Sequence, residues 1–265
     1  MHNKNKKPTR LLELVTAITR GNIKVIDLTM TLDRKVPTIV LPPELGQSWP
    51  FRMEEISKYN EKGPATYWNN FSCGEHTGTH FDAPIHWISG KDLPNNSTDT
   101  IEPEKFIAHA CVIDCCRKAE KNPDYLLTIN DVCSWEKTYG KIPPRSWLLM
   151  RTDWSMKKTP EEYLNLDDEG AHTPGPHEEL IPWLIDERDV IGFGCEDVGT
   201  DAGQAGNFKT PMPCHHLMHG RGRFGLPALT NLDKLPAQGT VIITPPLKIR
   251  QGSGSPVRVL ALIEE

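Results

Sequence analysis

Between Pro8 and Arg20 the apolar positions Leu11, Leu12, Val15 and Ile18 recur on one face of a helix, and Gly21 follows where a helix would stop. The pattern then changes to short apolar runs rich in β-branched residues, which read as buried strands. These are IKVIDLTM (23–30), ACVIDCC (110–116), SWLLMRTD (146–153), DVIGFGCED (189–197), TVIITPPLKI (240–249) and PVRVLALIEE (256–265). Helical spacing returns between them at 127–139 and at HEELIPWLIDER (177–188). Prolines and glycines gather in the connections 41–50, 170–176 and 202–214. Strands mixed with helices and no central linker predict one α/β domain over 1–265, with residues 1–22 as an N-terminal tail and helix. Connections of that length suit functional loops or assembly contacts.

Composition narrows the function classes. A net charge of −5 gives no global basic field, so neither nucleic acid nor an anionic membrane is an expected partner. Lys4, Lys6, Lys7 and Arg10 read as a solvated tail. No apolar run reaches the roughly 18 residues of a membrane span, and the N-terminus lacks the apolar block of a signal peptide. A cytoplasmic location is expected. Cys73, Cys111, Cys115, Cys116, Cys133, Cys195 and Cys214 are odd in number, irregularly spaced and without a CxxC pair, which points to reduced thiols.

The chemistry concentrates in GEHTGTHFDAPIHW (74–87), where His76, His80, Asp82 and His86 all fall at even positions. A helix would turn Asp82 away from His76 and His80, and Gly78, Thr79 and Pro84 disfavour one. A fully extended strand fails too, because at ~3.3 Å per residue His76 and Asp82 would lie ~20 Å apart. The workable path is a turn at Gly78, then an extended piece presenting His80 and Asp82, then a change of direction at Pro84 that brings His86 in from another side. Two imidazoles and a carboxylate leave coordination positions open, as catalytic metal sites do. A divalent ion there would acidify water and polarise a carbonyl, with His86 as general base or acid. The same ligand types also suit a non-haem iron oxygenase, or a metal-binding protein without turnover.

HTGTHFDAPIHW resembles the HxGTHxDxPxH motif of the cyclase-like metal-dependent hydrolases. The likeness is to the isatin hydrolase branch of that family and covers nearly the whole chain. It includes MRTDW (150–154), GTDAGQAG (199–206), FGLPALTNLDKLPAQG (224–239) and PLKIRQGSGSPVRVLAL (246–262). The resemblance implies an α/β fold, a three-layer β/β/α sandwich of swivelling-domain type, assembled as a homodimer or larger homo-oligomer. It implies a hydrolase that opens the lactam of isatin to isatinate with one Mn²⁺ per active site, Zn²⁺ being the alternative ion. Arylformamidase action on N-formylkynurenine, or hydrolysis of another cyclic amide or lactone, is the alternative activity. Residue by residue, His76, His80 and Asp82 become the metal ligands, His86 the catalytic histidine, and His215 a further active-site histidine. The resemblance implies a second metal in the formamidase branch, held by a late histidine and a glutamate; this chain has Pro227 where that glutamate would be, which implies a single metal here. A serine of the isatin hydrolase branch is replaced by Ala228.

Other candidates cluster around this motif. On a helix His215 and His219 would share a face, so a separate metal site is conceivable. His215 reads better as an active-site hydrogen-bond donor, with His216 and His219 structural. GTDAGQAG lacks the lysine and hydroxyl residue of a phosphate loop, and reads as a loop lining the site with Gln204 as a polar contact. Trp49, Phe51, Trp68, Phe71 and Trp87 crowd the approach, and Trp68 and Trp87 are the candidate contacts to a flat aromatic substrate. Arg151 and Asp153 read as a structural pair.

Overall fold

The computed structural model describes residues 9–264; the basic tail residues Lys4, Lys6 and Lys7 lie outside the described residues. The chain opens with helix α1 (Arg10–Thr19), capped by the Thr9 hydroxyl and ended by Gly21 at φ +80°. Strand β1 (Ile23–Asp27) leads into a long loop and then a hairpin of β2 (Arg52–Asn60) and β3 (Gly63–Ser72). After it come β4 (His80–Asp82), β5 (Ile107–Asp114), α2 (Ile129–Tyr139), β6 (Trp147–Arg151), α3 (Leu180–Arg188) and β7 (Gly192–Cys195). The chain closes with β8 (Phe224–Leu226), β9 (Thr240–Ile243), β10 (Gly254–Pro256) and β11 (Leu260–Glu264).

Nine of these strands form one sheet in the order β1-β11-β9-β5-β6-β7-β8-β4-β10. The four central strands β5 to β8 run parallel and the flanks are antiparallel. Parallel neighbours need crossovers, and α2 and α3 supply two of them. Period-2 alternation sorts the central side chains into two cores. Cys111, Ile113, Leu148, Met150, Phe193 and Cys195 pack under α2 and α3 with Val132, Trp135, Leu180 and Leu184. Ala110, Val112, Trp147 and Leu149 face the other way, onto Phe81, Phe224, Ile242 and Ala261. Because that second core joins both ends of the sheet to its middle, the sheet is curled on itself. Helices, central strands and curled flanks make the three layers β/β/α.

Element ends differ from the sequence reading where local chemistry intervenes. The strand read at 110–116 stops at Asp114, whose carboxylate accepts the Cys116 N–H and starts a short helix there. The run 240–249 stops at Ile243, before Pro245 and Pro246. The run 256–265 splits between β10 and β11. All seven cysteines are free thiols. Among the described residues no helix is long and apolar enough to cross a membrane.

Candidate active site

The histidine motif lies at one end of the curled sheet. Gly78 turns the chain at φ +62°, a left-handed conformation that a side chain would strain. β4 then carries His80 and Asp82 inward, and a single 3₁₀ turn over Pro84–His86 brings the His86 ring back over His76. Asp82 sits opposite glycine on both neighbouring strands, Gly225 in β8 and Gly254 in β10. A Cβ at Gly225 would lie 2.5 Å from Asp82 Oδ2, and one at Gly254 would lie 2.6 Å from the His76 ring. Gly225 thus leaves room for the carboxylate, and Gly254 for the His76 ring.

Hydrogen bonds fix which nitrogen each imidazole offers. His80 Nδ1 is 2.7 Å from the Gly78 carbonyl, which can only accept, so Nδ1 carries the proton and Nε2 a lone pair. The Ser253 hydroxyl donates to Glu75 Oε2 at 2.5 Å, so His76 Nε2, 2.9 Å from Ser253 Oγ, is the donor in that pair. His76 Nδ1 therefore carries a lone pair. These two lone pairs converge on Asp82 Oδ1, at 2.9 Å from His76 Nδ1 and 3.3 Å from His80 Nε2. Two imidazole lone pairs and a carboxylate oxygen facing one another repel unless a cation lies among them. The donor set thus fits a divalent ion, with Gly78, Ser253 and Glu75 orienting its ligands. His76, His80 and Asp82 form a group whose ligand atoms all lie within 4.8 Å of one another.

His86 stacks on His76 with ring centroids 3.9 Å apart. Burial first, and then the His76 ring beside it, push His86 down to about 2, so its imidazole is neutral. A π-helical turn, Cys214–Met218, brings two more histidines to the same place. The His215 ring lies 5.3 Å from His86 and 5.0 Å from Trp87, and that of His219 lies 6.0 Å from His86. Asp201 holds the His215 Nδ1 at 2.6 Å and, with Asp82, raises its pKa against the opposing effect of burial. His219 is pushed down to about 4, by burial first and then by His215; its Nδ1–H donates to the Arg223 carbonyl.

The remaining sequence candidates are spread more widely. Trp87 is half-buried beside His215, whereas Trp68 is exposed on β3. The Gln204 amide donates to the Glu169 and Ala171 carbonyls and so ties two loops together. Phe51 is buried and stacks with Phe71, while Trp49 is exposed. Arg151 bonds Asp153 and Asp114 at the end of β6. His216 is exposed, and its carbonyl accepts the Ser89 hydroxyl. Ala228 adopts φ +55°, its N–H bound to the Asp197 carbonyl and its own carbonyl to the Thr79 hydroxyl. Reading the sequence misses Asp201, Ser253 and Glu75, and gives His219 only a structural role.

A model of the family described as putative cyclase matches residues 26–202. The chain belongs to that family. It is 44% identical to an isatin hydrolase from Roseibium aggregatum over 245 residues, which cover 92% of this chain and 93% of that protein. The structure of isatin hydrolase A from Ralstonia solanacearum superposes with a TM-score of 0.96 at 54% identity, covering 98% of this chain and 100% of the other. An isatin hydrolase bound to the product analogue thioisatinate superposes with a TM-score of 0.95 at 41% identity, over the full length of both chains. Family membership thus extends to the curled sheet and all its connections, not to the histidine motif alone.

Proposed function

We propose that this chain is a metal-dependent hydrolase that opens the lactam ring of isatin to isatinate. The observation that carries the reading is the convergence of the His76 and His80 lone pairs on Asp82, with the neutral His86 stacked alongside. The likeness to isatin hydrolases over nearly the whole chain supplies the substrate.

His76 Nδ1, His80 Nε2 and Asp82 would hold one divalent ion, Mn²⁺ by likeness to that branch and Zn²⁺ as the alternative. When bound, the ion supplies Lewis acidity, polarising the lactam carbonyl and acidifying water. His86 takes the proton of the attacking water and returns it to the ring nitrogen as the C–N bond breaks. His215 donates a hydrogen bond to the oxygen on which charge develops. Trp87 is suited to pack against the flat bicycle, with Trp68 and Gln204 as further contacts. The product is an aromatic amine bearing an α-keto carboxylate.

The reading includes one domain over 1–265, a cytoplasmic enzyme, and a homodimer or larger homo-oligomer. Apolar faces left uncovered in the single chain support assembly: none of the α1 residues is buried, and β2 and β3 expose Met53, Tyr59, Tyr67, Trp68 and Phe71. A two-stranded hairpin is marginal by itself and gains from a partner surface.

The test is an anaerobic assay of metal-stripped protein reloaded with Mn²⁺ or Zn²⁺, offered isatin and N-formylkynurenine in parallel. Mn²⁺-dependent loss of isatin is expected. Preference for N-formylkynurenine would move the enzyme to the formamidase activity, and silence on both would overturn the substrate.

A further inference from the structure

A second concentration of charge lies outside the histidine motif. Strands β5, β6, β7 and β8 run parallel, so the segments that lead into them meet along one edge of the sheet. There they border a cleft of about 380 Å³. Its cations are Lys105 from the 3₁₀ turn before β5, Arg145 from the turn before β6, and Arg221 and Arg223 from the turn before β8. Ile191, at the entry to β7, and Leu93, on the loop that follows His86, supply apolar wall. Among the described residues no acidic side chain lines it.

The cations are gripped from behind. Asp189, which ends α3 at φ +49°, accepts the Arg145 N–H through its carbonyl at 2.7 Å and Arg223 Nη2 through its carboxylate at 2.6 Å. One residue therefore sets both arginines on the same wall. It holds Arg145 at φ +60°, a left-handed conformation that few residues with a side chain adopt. Arg221 pairs with Asp186, and Lys105 with Glu102, at the surface where water screens the attraction. Arg223 has Asp189 on one nitrogen, while its Nε is buried without a partner. Three carboxylates thus answer four cations, and Arg145 has no ion pair among the described residues.

We propose that this cleft is an anion site, which takes free phosphate or the phosphate group of a small molecule. A tetrahedral oxyanion carries oxygens in several directions and can be met from three loops at once, whereas a planar carboxylate offers two. Guanidinium forks suit such oxygens, and apolar wall beside them strengthens the attraction. The site does not depend on the hydrolase reading. It lies close to the histidines along the chain: the Arg223 carbonyl accepts the His219 Nδ1–H, and Gly225 stands opposite Asp82.

The test is calorimetric titration of the metal-loaded protein with inorganic phosphate, phenyl phosphate and acetate, at ionic strength matched with sodium chloride. Wild type, Arg145→Gln, Arg223→Gln and His80→Ala would be compared, with a melting temperature for each. Arg145 is exposed, so its variant should fold even where Arg223→Gln weakens the turn. Inorganic phosphate is expected to bind the wild type with a Kd of about 1 mM or tighter, and about tenfold more tightly than acetate. Each arginine variant should lose about tenfold in phosphate affinity, and His80→Ala, which removes a proposed metal ligand, should keep it. Tighter binding of phenyl phosphate would identify a phosphorylated small molecule as the occupant; equal binding would identify free phosphate. Phosphate binding that survives Arg145→Gln and disappears in His80→Ala would put the anion on the metal and overturn the inference. Acetate binding as tight as that of phosphate, or a wild type that gives no heat with phosphate, would overturn it too.

Discussion

The His86 ring lies nearly flat against His76, centroids 3.9 Å apart and planes 26° from parallel. The imidazole proposed to move protons is thus held by stacking on an imidazole whose Nδ1 faces the ion position. No hydrogen bond links the two side chains, so proton transfer and metal binding should separate by mutation. His86→Ala is expected to lower kcat by about a hundredfold or more with metal content unchanged. His80→Ala and Asp82→Ala should lose the metal as well as the activity. Elemental analysis beside kcat checks this, and a fully active His86→Ala enzyme would end the role given to that residue.

The layer behind the ligands should matter almost as much. Ser253 Oγ accepts from His76 Nε2–H and donates its own O–H to the Glu75 carboxylate, which fixes the nitrogen that His76 offers. Ser253→Ala leaves the ring free to take either tautomer. Metal affinity is expected to fall about 10- to 100-fold, read by competition with a chromogenic chelator. Unchanged affinity would mean that His76 is oriented by its stacking on His86 alone.

Space around Asp82 can be tested separately from its charge. A Cβ at Gly225 would lie 2.5 Å from Asp82 Oδ2, so Gly225→Ala must turn the carboxylate or push β8 away. Weaker metal binding and a lower melting temperature are expected. Gly206→Ala is the control, since a Cβ there meets nothing within 4 Å and should alter neither.

These predictions draw on residues of unequal visibility in the sequence. The path of the histidine motif is legible because Gly78 and Pro84 have only a few conformations open to them, and distance excludes the helix and the straight strand. The central strands are legible because burial on both faces demands continuous apolar runs. The β2–β3 hairpin is not, since exposed strands such as RMEEISKYN carry no clean alternation. Asp201 and Ser253 are invisible for a different reason. Ser253 meets His76 across 177 residues, and a lone aspartate in GTDAG looks like any loop aspartate until the fold sets it against His215. Periodicity reports which face is buried; it does not report which polar groups meet there.

Acid should weaken one well-defined corner of the fold. Asp131 closes the capping box of α2 with Thr128 and also bonds Lys118 and Tyr125. Burial pushes its carboxyl up, but Lys118, Thr128 and Tyr125 outweigh that and hold it at about 2. A carboxyl depressed from 3.8 to about 2 contributes stability above the unfolded value and loses it as pH falls through the folded one. Asp131→Asn is therefore expected to cost about 1 kcal/mol at neutral pH, a figure already reduced for solvent screening. The gap from wild type should close between pH 4 and about 2. Urea melts across that range would show it, and a gap that stays constant would assign the loss to the cap geometry instead of the charge.

Assembly offers the last test, because α1 is amphipathic yet buries none of its residues in the single chain. Leu11, Leu12 and Val15 are 75, 56 and 55% exposed, although their spacing is that of a core-facing helix. A helix that leaves such a stripe in water is best explained by a second copy that covers it. Leu11→Glu with Val15→Glu places two like charges in the proposed contact without touching the sheet or the histidine motif. Light scattering should find the wild type as a dimer or larger and the double variant shifted to monomer, with metal content retained. An oligomer of unchanged size would move the contact to the β2–β3 hairpin, where Trp68→Glu with Phe71→Glu is the corresponding pair. Wild-type monomer at micromolar concentration would remove the assembly reading altogether.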